Sequence, residues 1–306
     1  MGVRCALTDE NTMIQQEISG GVQPEFIYSM NCKGRQLNLD SPVIMGILNI
    51  TPDSFFDGGK FTEETAIRTR VGEMVSQGAT IIDIGAASSR PGAEIIAQEE
   101  ELKRLIPAVE LVANEFPEIF ISVDTYRAGV AKEAILVGAH IINDISAGDL
   151  DPEMFKTVSE LGVPYLMMHM QGTPLTMQKD PVYGNVVIEV MDYFAHKVKK
   201  LRTLGVNDII VDPGFGFGKT VDHNFSLLAG LDQFSIFGCP ILVGLSRKSM
   251  INKVLKISAK DALNGTTSLN TIALMKGAQI LRVHDVKEAK EVIDLYEAYL
   301  KGNELI

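Results

Sequence analysis

Four side chains able to carry or share positive charge lie in two short stretches of the C-terminal half: Arg247 and Lys248 in GLSRKS, and Arg282 and His284 in RVHDV. Brought together, they would hold a doubly anionic group such as a phosphate ester or diphosphate. Ser249 opens a helical pattern just beyond, whose free N–H groups and positive end would add to that field. Three carboxylates, Asp83, Asp124 and Asp212, and two amides, Asn49 and Asn143, offer the complement. Buried carboxylates need donors or cations, so this set suits either a metal ion or a flat heterocycle edged with N–H groups. There is no HExxH and no tight His/Cys cluster. A divalent ion here would therefore be Mg2+, held by one or two protein oxygens together with substrate phosphates. Taken singly, Asp83 reads equally well as a structural residue orienting its neighbours.

The elements that must position these residues are legible from where the residues fall. Each ends or closely follows a short apolar run: PVIMGILN with Asn49, ATIIDIG with Asp83, IFISVD with Asp124, HIIND with Asn143, VPYLMMH with Met168 and His169, NDIIVD with Asp212, CPILVGLSRK with Lys248, and QILRVH with Arg282 and His284. Continuous Val/Ile/Leu runs are strands buried on both faces, and parallel strands need a crossover between them. A helix-length segment follows each run. The predicted fold is α/β, a (β/α)8 TIM barrel, whose active site is built at the C-terminal strand ends.

The chain of 306 residues exceeds the ~250 typical of such a barrel by one N-terminal extension. Residues 1–25 read as a loosely held extension and 26–306 as a single barrel domain. FIYSMNCKGRQLNLD (26–40) reads as a hairpin turning at Lys33-Gly34 that plugs the bottom of the barrel, which then starts at Pro42. Helical stripes are expected outside it, with Ala66, Ile67, Val71, Met74 and Val75 on one and Val286, Ala289, Val292, Ile293 and Tyr296 on another. The segment between Ser249 and Gly277 has room for two helices. TPDSFFDGGK and AASSRPGAEI, rich in turn formers, read as long loops over the catalytic face.

Composition narrows the function classes. With 46% hydrophobic and 22% charged residues and no apolar stretch of membrane-spanning length, a globular protein is expected. A net charge of −11 argues against nonspecific nucleic-acid binding. Three cysteines, Cys5, Cys32 and Cys239, fit neither a disulfide framework nor a CxxC site, and no signal-peptide core precedes them, so a reducing cytoplasm is the expected compartment. PGFGFGKT (213–220) misses the P-loop spacing because Pro213 stands where glycine is required, and it reads as a close-approach loop. GLSRK lacks the second glycine of a nucleophile elbow. A Schiff base at Lys248 is disfavoured because its neighbours suit anion recognition equally well.

MGILNITPDSFFDGG (45–59), SSRPGA (88–93), SVDT (122–125), INDIS (142–146), MHMQGTPLTMQ (168–178), DPGFGFGK (212–219), GLSRKSMI (244–251) and RVHDV (282–286) occur in order, and together they resemble the dihydropteroate synthase family. The resemblance implies transfer of a pterin-methyl group from 6-hydroxymethyl-7,8-dihydropterin diphosphate to 4-aminobenzoate, with release of pyrophosphate. It implies Asn49 as the Mg2+ ligand, a pterin slot of Asp124, Asn143, Asp212, Lys248 and Met168, and a diphosphate site of Asn49, Arg282 and His284. The 4-aminobenzoate would lie against Ser89, Arg90, Pro91, Phe217 and Lys248, with its carboxylate at Ser249. Asp57 and Arg90 would close over the site, and Asp124, Lys248, Asp57 and Arg90 would carry the catalysis. A homodimer is implied as well.

Four positions depart from the family pattern. Ala86-Ala87 stands where Gly-Glu is common, Ser89 where threonine is, and Phe56 where a small residue is frequent. The missing glutamate removes a charge beside the second loop. Two alternatives share the fold: a pterin-dependent methyltransferase, which would not use the basic rim, and a catalytically silent pterin-binding homologue.

Overall fold

The computed structural model describes residues 28–50, 60–87, 96–177 and 179–303. Among them a two-stranded hairpin precedes an eight-stranded parallel sheet. In the hairpin, β1 (Ser29–Cys32) pairs with β2 (Arg35–Asn38) through Lys33 and Gly34, whose φ of 55° and 86° give the tight reversal that matches strand twist. The barrel strands are β3 (Val43–Asn49), β4 (Ile81–Gly85), β5 (Phe120–Asp124), β6 (Ile141–Asp144), β7 (Tyr165–Met168), β8 (Ile209–Asp212), β9 (Leu242–Val243) and β10 (Ile280–Val283). They follow one another around the sheet, β10 pairing with β3 and with β9, and a parallel bridge from Val211 to Ile241 closes the ring. The register slips by two residues at β5/β6, β6/β7, β8/β9 and β10/β3, the stagger of a closed barrel with a shear of about 8.

Side chains alternate in and out along each strand, and two successive inward positions differ sharply. The first, Met45, Ile81, Phe120, Ile141, Leu166, Ile210, Leu242 and Ile280, contributes one apolar side chain per strand to a buried cluster. Met30, Cys32, Leu37 and Leu39 of the hairpin belong to the same cluster, so the hairpin seals the lower mouth as the sequence predicts. Arg35 fastens it there, donating to the carbonyls of Pro117, Glu118 and Ile119 and lying 4.4 Å from the Phe120 ring centroid. Two residues further along, the inward positions become Ile47, Asp83, Ser122, Asn143, Met168, Asp212, Gly244 and Arg282. The pleat thus lifts the chain from an apolar floor to a polar tier in a single step.

Outward-facing strand residues, such as Ile44, Ile84, Val123 and Val211, form the larger core with the helices. These are α1 (Lys60–Ser76), α2 (Gln98–Glu115), α3 (Ala128–Leu136), α4 (Met154–Leu161), α5 (Val186–Thr203), α6 (Val221–Ala229), α7 (Ser249–Leu255), α8 (Leu263–Met275) and α9 (Val286–Asn303). Local sequence sets several boundaries. Asn185 caps α5 by accepting from the N–H groups of Val187 and Ile188, and Thr220 caps α6 in a capping box with His223. Of the α1 stripe, Ile67, Val71 and Met74 are buried, whereas Val75 is 37% exposed, since its position rotates past the barrel contact. The α9 stripe buries Val286, Ala289, Val292 and Ile293. The two helices expected after Ser249 are α7 and α8. No helix among the described residues is long and apolar enough to cross a membrane, and Cys32 and Cys239 are free thiols in the interior. The extension over 1–25 lies outside the described residues.

Candidate active site

Arg282 is the hub of the polar tier. Its Nε donates to Asp83 Oδ2 at 2.7 Å and its Nη2 to Asp124 Oδ2 at 2.8 Å, joining β10 to β4 and β5. Asp83 Oδ2 also accepts from Asn143 Nδ2 at 2.9 Å, which sets the amide's orientation. Asp83 is therefore the positioning residue of the tier, fixing one cation and one amide. Burial pushes the Asp124 carboxyl up, opposed by Arg282, and the paired carboxylates hold the Arg282 guanidinium firmly charged.

On the other side of the barrel, Asp212 is 5% exposed and accepts from the N–H of Gly214 at 2.8 Å. Burial lifts its carboxyl, while Lys248 draws it down. Lys248 reaches in from the end of β9, donates to the carbonyl of Phe215 and lies 4.8 Å from the Phe217 ring centroid. Burial pushes its ammonium down to about 8, and Asp212 partly restores it. Met168 forms an apolar wall with Ile145, Met170 and Met177, against which Tyr126 and Phe217 pack. The result is a slot with donors and acceptors on one edge and methionine and phenylalanine on its flank.

The next inward positions lie at the mouth. Asn49 Oδ1 and Asp124 Oδ2 each stand 3.7 Å from where a Cβ on Gly85 would be, so glycine keeps the space between β3 and β5 open to two hard oxygen donors. These oxygens suit Mg2+. Among the described residues no group of three or more His, Cys, Asp and Glu could hold a metal. His284 follows β10, the strand paired with β3. Ser246 Oγ is 3.0 Å from its Nδ1 and accepts from its backbone N–H at 3.3 Å, which fixes the imidazole.

One expectation fails. Arg247 does not join the anion rim: its Nε and Nη2 each meet an oxygen of Asp285 at 2.8 Å, and its Nη1 donates to the carbonyls of Ala259 and Lys260. Its φ of 55° turns it away from Lys248. Adjacent residues at a strand end are thus divided between scaffold and site.

Sequence comparison with known proteins decides between the readings of such a slot. The family model for pterin binding enzymes matches residues 45–284. The dihydropteroate synthase of Escherichia coli strain K12 is 46% identical over 274 residues, 89% of this chain and 96% of that protein. This chain belongs to the dihydropteroate synthase family. A dihydropteroate synthase of Streptococcus pyogenes is 39% identical over 254 residues, 82% of this chain and 92% of that one. A crystal structure of Yersinia pestis dihydropteroate synthase in a sulfonamide drug complex superposes with a TM-score of 0.84 at 41% identity, covering 90% of this chain and 100% of that chain.

Against this dihydropteroate synthase framework, Asn49, Asp124, Asn143, Met168, Asp212, Phe217, Lys248, Arg282 and His284 gather at the upper barrel. Ser249 opens α7 at the same face and is exposed. Asp57, Ser89, Arg90 and Pro91, with residues 51–59 and 88–95 of the two long loops, lie outside the described residues. Two residues in the site's support were not singled out for it by sequence reasoning, whereas the structural reading offered for Asp83, orienting its neighbours, is the part it plays. Ser246 acts through His284, and its place four residues beyond the floor residue Leu242, at an inward position, was the available signal. Lys219, 4% exposed, lay within the rejected P-loop pattern.

Proposed function

We propose that this protein is a dihydropteroate synthase of folate biosynthesis, joining 6-hydroxymethyl-7,8-dihydropterin diphosphate to 4-aminobenzoate and releasing pyrophosphate. The observation that carries this reading is the polar tier itself, in which Arg282 ties Asp83 to Asp124 beside Asn143 and across from Asp212 and Lys248. A pterin ring has the N–H edge that Asp212 can accept from, the carbonyl that Lys248 can donate to, and the flat face that Met168 can cover.

In this reading Arg282 and His284 hold the diphosphate at the mouth. Asn49 would hold Mg2+ together with diphosphate oxygens, and the ion, when bound, supplies charge that offsets that of the leaving group. The C–O bond to the diphosphate breaks ahead of attack, because the dihydropterin ring delocalises the positive charge on its methylene carbon. Asp124 stabilises that charge from the mouth, beside Asn49. The arylamine brings a neutral lone pair, so no strong base is needed. It lies against Phe217 and Lys248 with its carboxylate at Ser249, and Ser89, Arg90, Pro91 and Asp57 complete the site from the two loops. The domain is taken as 26–306, the compartment as cytoplasmic, and the assembly as a homodimer. Exposed Ile272 and Met275 on α8 and Leu295 and Tyr299 on α9, two helices packed on each other, support the pairing.

The test is a reaction of purified protein with Mg2+ and both substrates, followed by chromatography. Dihydropteroate matched by pyrophosphate is the expected result. Pterin binding with neither product would move the protein to the silent homologue.

A further inference from the structure

Lys219 is a buried amine that the proposed chemistry leaves unused, pushed down by burial to about 7 and partly restored by Asp212. Its Nζ lies 2.9 Å from the carbonyl of Gly214, 3.0 Å from that of Phe217, 3.3 Å from that of His169 and 3.0 Å from His169 Nδ1. Two of these partners belong to the loop after β8 and two to the residue that follows β7. An ammonium has three protons, so the cluster exhausts them without a carboxylate. The two backbones meet closely around it. A Cβ on Gly214 would fall 1.9 Å from the His169 carbonyl oxygen, and one on Gly218 2.7 Å from that of Gln171. Both glycines have φ in the left-handed region, 73° and 61°. Tyr183 adds a hydrogen bond to the Gly218 carbonyl at 2.9 Å.

The loop so pinned carries two contacts of Lys248. The Phe215 carbonyl accepts from its ammonium, and the Phe217 ring lies beside it. By contrast, Asp83, Asn143 and Arg282 are fixed through one another across β4, β6 and β10 and make no contact with Lys219.

We propose that Lys219 is a positioning residue for the arylamine half of the site, stapling the loop after β8 to the end of β7 so that Phe217 and Lys248 keep their mutual placement. The proposal rests on the synthase reading, in which those two residues line the 4-aminobenzoate subsite. Removing the staple should loosen that subsite more than the pterin slot, which shares Lys248 and the Gly214 contact of Asp212 with the pinned loop but keeps its Asp83, Asn143 and Arg282 network on the strands.

The experiment measures the KM for 4-aminobenzoate and the dissociation constant of pterin diphosphate in wild type, Lys219→Met and Gly218→Ala. The glycine variant pries the two backbones apart without removing the amine, and so decides the matter if Lys219→Met does not fold. The expected result is a rise of about ten-fold or more in KM against a change of under about three-fold in pterin affinity. Adding Phe217→Ala to Lys219→Met should bring little further rise, because both act on one subsite. Parallel changes in the two constants, or no change in either, would overturn the proposal while leaving the synthase reading intact. A wild-type protein that forms no dihydropteroate would remove both.

Discussion

The floor of the barrel and the tier above it are made by the same eight strands, two residues apart, and are built by opposite physics. At the floor each inward position is apolar and the hairpin adds Met30, Cys32, Leu37 and Leu39, so the contacts are many, nondirectional and interchangeable. In the tier the contacts are few and directional: one oxygen of Asp83 accepts from both Arg282 and Asn143, and Asp124 takes the other end of the guanidinium. Burying apolar surface stabilises in proportion to area. Burying an ion pair gives little net stability, but breaking one strands a charge. The floor therefore supplies the fold, and the tier supplies geometry at no comparable gain.

The sharpest break of this comparison uses one strand. Arg282→Met leaves Asp83 and Asp124 buried without their cation, and should cost about 3–5 kcal/mol in denaturant unfolding along with all measurable turnover. Ile280→Val, two residues earlier on β10, should cost only about 0.5–1.5 kcal/mol and leave turnover unchanged. Equal stability losses would erase the distinction. Next in size, Asp212→Asn keeps its shape and its Gly214 contact but loses its charge. It should weaken pterin diphosphate binding by roughly 10–100-fold in a binding titration, with little change in melting temperature.

The two regions should also respond to pH in different observables. In the tier, Lys248 is pushed down to about 8. Its ammonium is the competent form, so kcat/KM for pterin diphosphate should fall as pH rises through that value, and Lys248→Arg should extend activity upward if it retains any. At the floor, burial pushes His140 down to about 4, aided by Arg35 and Lys33. Its Nδ1 accepts from the N–H of Ile121 at 3.2 Å, a contact that requires the unprotonated nitrogen. With a folded value below the ordinary 6.5, the unfolded chain takes up the proton first. Stability is then fully present above about 6.5 and is lost as pH falls toward about 4. His140→Gln should flatten that acid limb of a melting-temperature profile, a shift of a few degrees with no change in activity at neutral pH.

Much of this division is legible in the sequence, because strand period and apolar runs are local. A run such as IFISVD states both its buried length and the residue that ends it, and Lys33-Gly34 states its turn. What the sequence does not carry is pairing across the ring. Arg282 meets Asp83 across a separation of 199 residues, and nothing in RVHDV says whether its arginine faces substrate or a carboxylate. Arg247 and Lys248 are neighbours of like charge, and only the left-handed turn at Arg247 sends one to Asp285 and the other into the slot. Lys219 escaped because its partners are mostly backbone carbonyls, which every sequence has.

Asp124 sits at the boundary of the account, bound to the tier through Arg282 yet placed by Asn49 at the mouth where the leaving group would lie. The most direct measurement is the turnover of Asp124→Asn set against its dissociation constant for pterin diphosphate. A fall in kcat of about 100-fold, roughly 2.7 kcal/mol of transition-state stabilisation, with affinity changed less than about five-fold, is the predicted result. Equal losses in kcat and affinity would contradict it, and would reduce Asp124 to one more pterin contact.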